Sequence, residues 1–279
     1  MNTYDPSQHP RGDRGRFKAK TRTEPEDGLD ANPPTIIRPN GAQEWHRNGK
    51  PHRTDGPAVI SRNGVEEWWF EGERHREDGP AYAVPGGAEE WFRHGILHRV
   101  GGPARTRPDG VEMWYVDGKP HRLDGPAIRR PGGDQSWWVD GRRHRTDGPA
   151  VIRPYGDQEW WQHGERHRVD GPAITRSNGR QEWYLHDKRH RTDGPAYIGP
   201  DGFQEWYVHG KRHRVDGPAV THPDGTEVWR VYDELHRTDG PAITHPDGTL
   251  EWWENGERKS PEEEAALSAL WHARTPPGA

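Results

Sequence analysis

The chain has no cysteine, so a disulfide-stapled scaffold is excluded. Nor does it carry a basic surplus: 40 Lys and Arg against 45 Asp and Glu give a formal charge of −5, which speaks against a strongly basic nucleic-acid protein. No run approaches the roughly 20 apolar residues of a membrane helix, and no apolar leader like that of a secretory signal opens the sequence. A soluble, cytoplasmic protein is the expectation. Aliphatic residues are scarce as well. Val, Ile, Leu and Phe number 14, 9, 8 and 4 among 279 residues, well under the roughly 20% below which charged chains usually stay disordered. A conventional core of this size is therefore not expected, yet fifteen Trp and 35 Gly are unlike a solvated tail.

The tryptophans are used periodically. His-Arg-x-Asp-Gly-Pro-Ala, with small departures, begins at His52, His75, His98, His121, His144, His167, His190, His213 and His236, every 23 residues. A ladder of Trp45, Trp68, Trp91, Trp114, Trp137, Trp160, Trp183, Trp206, Trp229 and Trp252 keeps the same step. Asn32-Pro33-Pro34-Thr35 stands where the first Asp-Gly-Pro-Ala belongs, so ten units are read from 32 to 259.

Numbering each unit from its His, positions 12 and 13 are usually Asp-Gly or Asn-Gly, a strong hairpin signal because Gly accepts φ > 0 without strain. Pro at position 6 lacks an N–H and suits the start of a strand, and β-branched residues such as Val59, Ile60, Ile174 and Thr175 follow it. A lone hairpin is marginal in water, so the units must stack edge to edge. The expected fold is all-β: an elongated β-hairpin repeat solenoid on the order of 100 Å long. Strand alternation sends positions 17 and 18 to opposite faces. Position 17, always Trp, is expected on the packed side. Position 18 is expected to form a half-exposed aromatic stripe that includes Trp138, Trp161, Tyr184 and Tyr207.

Residues 1–31 read as a disordered basic arm with Arg11, Arg14, Arg16, Lys18, Lys20 and Arg22; its Arg11-Gly12-Asp13 tripeptide is a chance-level adhesion motif. Residues 260–274 read as a capping helix: Ser260 is the N-cap, Pro261 is N1, acids fill the first turn, and Leu267, Leu270 and Trp271 are expected against the final hairpin.

Segments such as Asp140-Gly141-Arg142-Arg143-His144 and His209-Gly210-Lys211-Arg212-His213 resemble the Asn/Asp-Gly-Lys-x-His stretch of the MORN repeat, which is also about 23 residues long. The resemblance covers residues 32–259. It departs from the family where MORN repeats read His-Gly-x-Gly and this chain has His-Arg-x-Asp-Gly-Pro-Ala, so it is similar to a variant class found in bacterial and phage proteins, some described as antitoxin-like. The resemblance implies protein scaffolding or the binding of acidic phospholipid.

No enzyme, cofactor or metal is expected. His at position 1 and Asp at position 4 recur together in eight units, as in His144 with Asp147, without a nucleophile at any fixed position, which points to a repeated structural hydrogen bond. Ladder His residues about 10 Å apart cannot share one zinc. His94, His163, His186 and His209 fall in turns and are expected to be solvated. Glu at position 16 is expected to pair with Arg at position 2 across strands.

Should Arg at position 2 stay free, Arg143, Arg145, Arg166, Arg168, Arg189, Arg191, Arg212 and Arg214 form one basic stripe beside the aromatic one. That pairing suits phosphate-bearing ligands. The reading that follows is a non-enzymatic protein-interaction scaffold whose partner is another protein. The alternatives are a binder of acidic phospholipid or nucleic acid through the Arg/aromatic stripe, and a cell-wall or carbohydrate-binding aromatic module.

Overall fold

The computed structural model describes residues 33–274; the basic arm at 1–31 and its Arg-Gly-Asp lie outside the described residues. From Thr35 onward the chain is an elongated all-β solenoid of repeated hairpins, closed by one helix, Pro261–Arg274. Each unit supplies four two-residue strands, at positions 8–9, 15–16, 18–19 and 22–23. In the unit opening at His167 these are Ile174–Thr175, Gln181–Glu182, Tyr184–Leu185 and Lys188–Arg189.

The first two strands pair within the unit, Ile174 with Glu182 and Thr175 with Gln181. The second then pairs onward, Gln181 with Ile198 and Glu182 with Tyr197. Repetition of both steps builds a continuous 20-stranded antiparallel sheet. The last two strands form a separate ribbon, Tyr184 opposite Arg189. Ten such ribbons run beside the sheet. Since an isolated ribbon is marginal, each depends on what the sheet and the neighbouring units cover.

The two turns differ from a simple Asn-Gly reading. At the first, the N–H of Gly179 donates to the Arg176 carbonyl and that of Arg176 to the Arg180 carbonyl; only Gly179 has positive φ. This is a type I turn followed by one left-handed residue, the three-residue hairpin loop. The two-residue turn with both residues left-handed lies instead at positions 20 and 21, as in His209 (φ 53°) and Gly210 (φ 86°).

The His-Arg-x-Asp-Gly-Pro-Ala motif is a clamp on the preceding unit's tryptophan. The loop begins and ends on Trp160, whose carbonyl accepts from the His167 N–H and whose N–H donates to the Ala173 carbonyl. Inside it the Arg168 guanidinium lies 4.0 Å above the Trp160 ring centroid. Arg168 Nε donates to Asp170 at 2.9 Å and Nη1 to the Pro172 carbonyl at 3.3 Å. Gly171 backs the guanidinium so closely that an added Cβ would sit 2.9 Å from Arg168 Cζ. Ala173 is fully buried, as is Ala at position 7 in every clamp. The stack recurs at 3.8–4.2 Å on all nine tryptophans from Trp45 to Trp229.

This arrangement corrects two expectations. Arg at position 2 pairs with Asp at position 4 of its own loop, not with Glu at position 16. Depth at position 18 also differs in part: Trp138 and Trp161 are half-buried as expected, but Tyr184 and Tyr207 are 6% and 8% exposed, deeper than the half-buried Trp183 and Trp206. Of the ladder only the end members Trp45 and Trp252 are buried. Both faces are covered: the Arg clamp shields position 17, and the ribbon folds position 18 inward.

The C-terminal helix stands in for a tenth clamp, on Trp252. Trp252 N–H, which elsewhere would donate to the next unit's Ala carbonyl, donates to Glu264 Oε1 at 3.2 Å, and its indole Nε1 donates to Ser268 Oγ at 3.0 Å. Trp271 meets Trp252 edge-on at 6.2 Å. Ser260 and Glu263 cap the first turn reciprocally. Trp271 and Leu267 are half-buried, but Leu270 is exposed rather than packed, because Glu264 and Ser268 hold the helix on its other side.

Replacing Gly171 with Ala is expected to displace the Arg168 guanidinium and to destabilise the chain by about 1–3 kcal/mol. Gly132→Ala, where a Cβ meets nothing within 4 Å, is expected to be near neutral. Thermal unfolding of both variants checks this; equal melting losses would contradict the clamp.

Candidate functional site

The eight arginines expected to line one basic stripe divide into two sets held by different rings. Arg145, Arg168, Arg191 and Arg214 are the clamp arginines stacked on Trp137, Trp160, Trp183 and Trp206, each 2.9–3.1 Å from the Asp of its own loop. Arg143, Arg166, Arg189 and Arg212, at position 23, belong to the ribbon and lie over position 18: Arg143 between Trp138 and Trp161, Arg166 over Tyr184 at 4.1 Å, Arg189 and Arg212 over Tyr207. A single free stripe does not form. The reason is local: positions 23 and 2 do not lie on one continuous strand, since the ribbon ends at 23 and the loop turns away at 1.

The position-23 arginines meet the carboxylates at position 16. Glu182, only 1% exposed, accepts from Arg189 Nη2 at 2.7 Å, from Tyr184 Oη at 2.8 Å, and from Arg180. Glu205 accepts from Arg212, and Arg143 approaches Glu159 to 3.8 Å, while Arg166 binds Asp187 at 2.6 Å. Where position 18 is Trp its indole N–H takes the place of the tyrosine hydroxyl, as Trp161 does to Glu159 at 3.0 Å and Trp138 to Ser136 at 2.8 Å. Residues 16 and 18 share a face, which is why position 18 favours aromatics that carry a donor.

Burial alone would push the Glu182 carboxyl up, but the bonds from Arg189, Arg180 and Tyr184 outweigh it and hold the group below the ordinary carboxylate range. Burial works against the Arg189 charge too, and its bond to Glu182 prevails, so its affinity for the proton is raised. Tyr184 is shifted upward by burial and by the same carboxylate. These are mutually satisfied ion pairs within an aromatic layer.

The His and Asp of each motif do not pair with one another. In seven of the nine units the position-1 Nδ1 accepts from the backbone N–H of position 20, as His144 does from His163 at 3.1 Å and His190 from His209 at 3.1 Å. The Asp is taken by the clamp arginine. An accepting Nδ1 requires a neutral ring with its proton on Nε2. The turn histidines are exposed, as expected, and also stack on these rings: His75 with His94, His144 with His163, His167 with His186 and His190 with His209, at centroid separations of 4.2–4.6 Å. Burial first, and the facing charge second, lower the proton affinity of His75, His144, His167 and His190.

Two surface features escaped the sequence reading. Position 3 of the clamp loop projects outward, with Leu123, Val169 and Val215 79%, 81% and 75% exposed. Positions 9 and 15 form the outer face of the long sheet, where from Gln135 to Thr221 all but the exposed Gln158 are half-buried. The signal for both lay in the residues that vary between units, which periodic matching discards.

Glu182→Gln removes the charge that neutralises Arg189 and Arg180 and is expected to cost roughly 3 kcal/mol, measured by denaturant unfolding. The pH dependence has a definite sign. Because the folded His values are lowered, the stability they contribute is complete above about pH 6.5 and is withdrawn as pH falls below it. The lowered carboxyls of Glu159 and Glu182 add a second loss only as pH falls below about 4.5. The melting temperature is therefore expected to drop between pH 7.5 and 5.5; a flat profile across that window would contradict neutral, accepting imidazoles.

No protein-family model matches the chain, and no curated protein sequence matches it.

Proposed function

We propose that the chain is a non-enzymatic scaffold built from MORN-like repeats, and that it binds other proteins through the surface of its elongated sheet and clamp loops. The observation that carries this reading is the division of labour within each unit. The repeated residues at positions 1, 2, 4, 5, 6 and 7 bond to one another and to Trp at position 17. The outward residues at position 3 change from Thr54 and Glu77 to Leu123, Thr146 and Val169. A lattice whose repeated motif is spent on internal contacts while position 3 varies outward suits recognition of an extended partner, where a few buried apolar anchors carry most of the affinity.

The pairing of each stripe arginine with a carboxylate weighs against a polyanion ligand, since such a ligand would have to displace an existing ion pair at every site. Rings covered by guanidinium groups weigh equally against stacking on sugars. No helix among the described residues is long and apolar enough to cross a membrane.

The test uses the full chain. Leu123→Asp with Val169→Asp is expected to abolish capture of the host protein that the parent chain retains, with an unchanged melting temperature. Salt-sensitive retention on phosphatidylserine vesicles or on single-stranded oligonucleotide would contradict the reading.

A further inference from the structure

On the outer face of the 20-stranded sheet each strand presents one side chain, from position 9 or position 15. The register places these in a single row across the sheet, because positions 9 and 15 are cross-strand partners both within and between units. Reading along the row from Gln135 to Thr221, the side chains carry no charge on eight consecutive strands. Gln135, Gln158, Gln181 and Gln204 alternate there with β-branched residues. In a chain of which 30% is charged, this neutral strip is the exception.

The strip is bounded by charges of opposite sign. Arg129 adjoins Gln135 at one end, and Glu227 adjoins Thr221 at the other. Beyond Glu227 the row is again neutral at Thr244, and beyond Arg129 it meets Glu112, whose carboxylate lies 3.3 Å from Arg129 Nη1; this exposed pair is weakly held and leaves other Arg129 donors for a second carboxylate.

We propose that this strip is an interface between two copies of the chain, stacked face to face and antiparallel. A two-fold axis between Thr175 and Gln181, the middle of the neutral run, sets Arg129 of one copy over Glu227 of the other and repeats that pair at the opposite end. Parallel stacking in the same register would instead oppose Arg129 to Arg129 and Glu227 to Glu227, so the charges select the antiparallel arrangement. In the centre, Gln181 of each copy faces Thr175 of the other. An amide against a hydroxyl can donate and accept across a sheet-to-sheet gap of about 10 Å shared by both side chains.

Size sets the strength. Nine strand steps at about 4.8 Å give a contact about 43 Å long. With a width of roughly 10–15 Å it covers on the order of 500 Å² per copy, short of the roughly 800 Å² of a standard interface, so dissociation in the micromolar range is expected. The row lies on the sheet surface that the scaffold reading also uses but is separate from position 3 of the clamp loops, so loss of self-association by Gln181→Arg and loss of partner capture by Leu123→Asp with Val169→Asp are distinguishable outcomes.

Sedimentation equilibrium of the full chain from about 1 to 200 μM tests it, with thermal melts as the control for folding. The mass is expected to rise with concentration from that of the 32.0 kDa monomer toward twice that value. Gln181→Arg, which brings two like charges together at the axis, should leave a monomer throughout. Arg129→Glu and Glu227→Arg should each weaken association at least tenfold, and the two together should restore it to within threefold of the parent. A parent chain that stays monomeric at 200 μM would overturn the proposal, leaving the strip to a neutral ligand of other chemistry. So would a dimer insensitive to Gln181→Arg, or charge reversal that fails to restore association.

Discussion

Everything else in this fold rests on a guanidinium held over the face of an indole. With few aliphatic side chains available, each unit secures its predecessor by laying Arg from position 2 over the Trp that follows that unit's last sheet strand, and nine such stacks run the length of the array. Partly desolvated cation–π contacts contribute about 0.5–2 kcal/mol each beyond the area they bury. Because each contact joins adjacent units, the gain accrues as coupling between neighbours, the quantity that decides whether a linear array folds as one body. The remaining motif residues serve the stack: Asp fixes the Nε edge, Gly permits the approach, the Pro carbonyl receives Nη1, and Ala fills a space with no room for more.

Departures within the chain rank these contributions. In the unit opening at His98, position 4 is Gly101 instead of Asp, yet Arg99 still lies 3.8 Å over Trp91 and donates to the Pro103 carbonyl at 3.0 Å. The carboxylate thus trims the geometry that the stack already determines. At the second turn, Asp187 and Asp233 occupy the left-handed position that Gly fills elsewhere, with φ of 60° and 77°. Their carboxylates recover bonds to the Arg166 and Arg212 backbone N–H groups, and in those two units the Nδ1 atoms of His167 and His213 have no hydrogen-bond partner. The end cap follows the same logic, because Glu264 supplies the Trp252 N–H with the acceptor that a clamp alanine supplies elsewhere, and Ser268 adds one for the indole N–H.

Periodicity made the architecture legible: the 23-residue step, the edge-to-edge sheet and the capping helix at Ser260 all follow from spacing and turn chemistry. What spacing could not reveal was which charged residue meets which. Counting along a presumed continuous strand put Arg143 and Arg145 on one face, whereas a break in the strand after Arg143 sends Arg145 into a loop and onto Trp137. Alternation correctly separated Trp183 from Tyr184. It carried no information on depth, because the ribbon that buries Tyr184 is formed by residues 184–189 themselves folding back. The need for Gly171 becomes visible only once Arg168 is in place. Candidate binding surfaces stayed hidden for a related reason: the repeating residues that disclose the fold are spent on internal contacts, and the variable ones that face outward form no pattern within a single unit.

The most direct test of the clamp is a double-mutant cycle between Trp160 and Arg168, using Trp160→Leu, Arg168→Met and the combination, with unfolding free energies measured by denaturant titration. The stack predicts that the two losses fall short of additivity by at least about 1 kcal/mol. Strict additivity within about 0.3 kcal/mol would mean that the two side chains act independently and that something other than this contact couples the units.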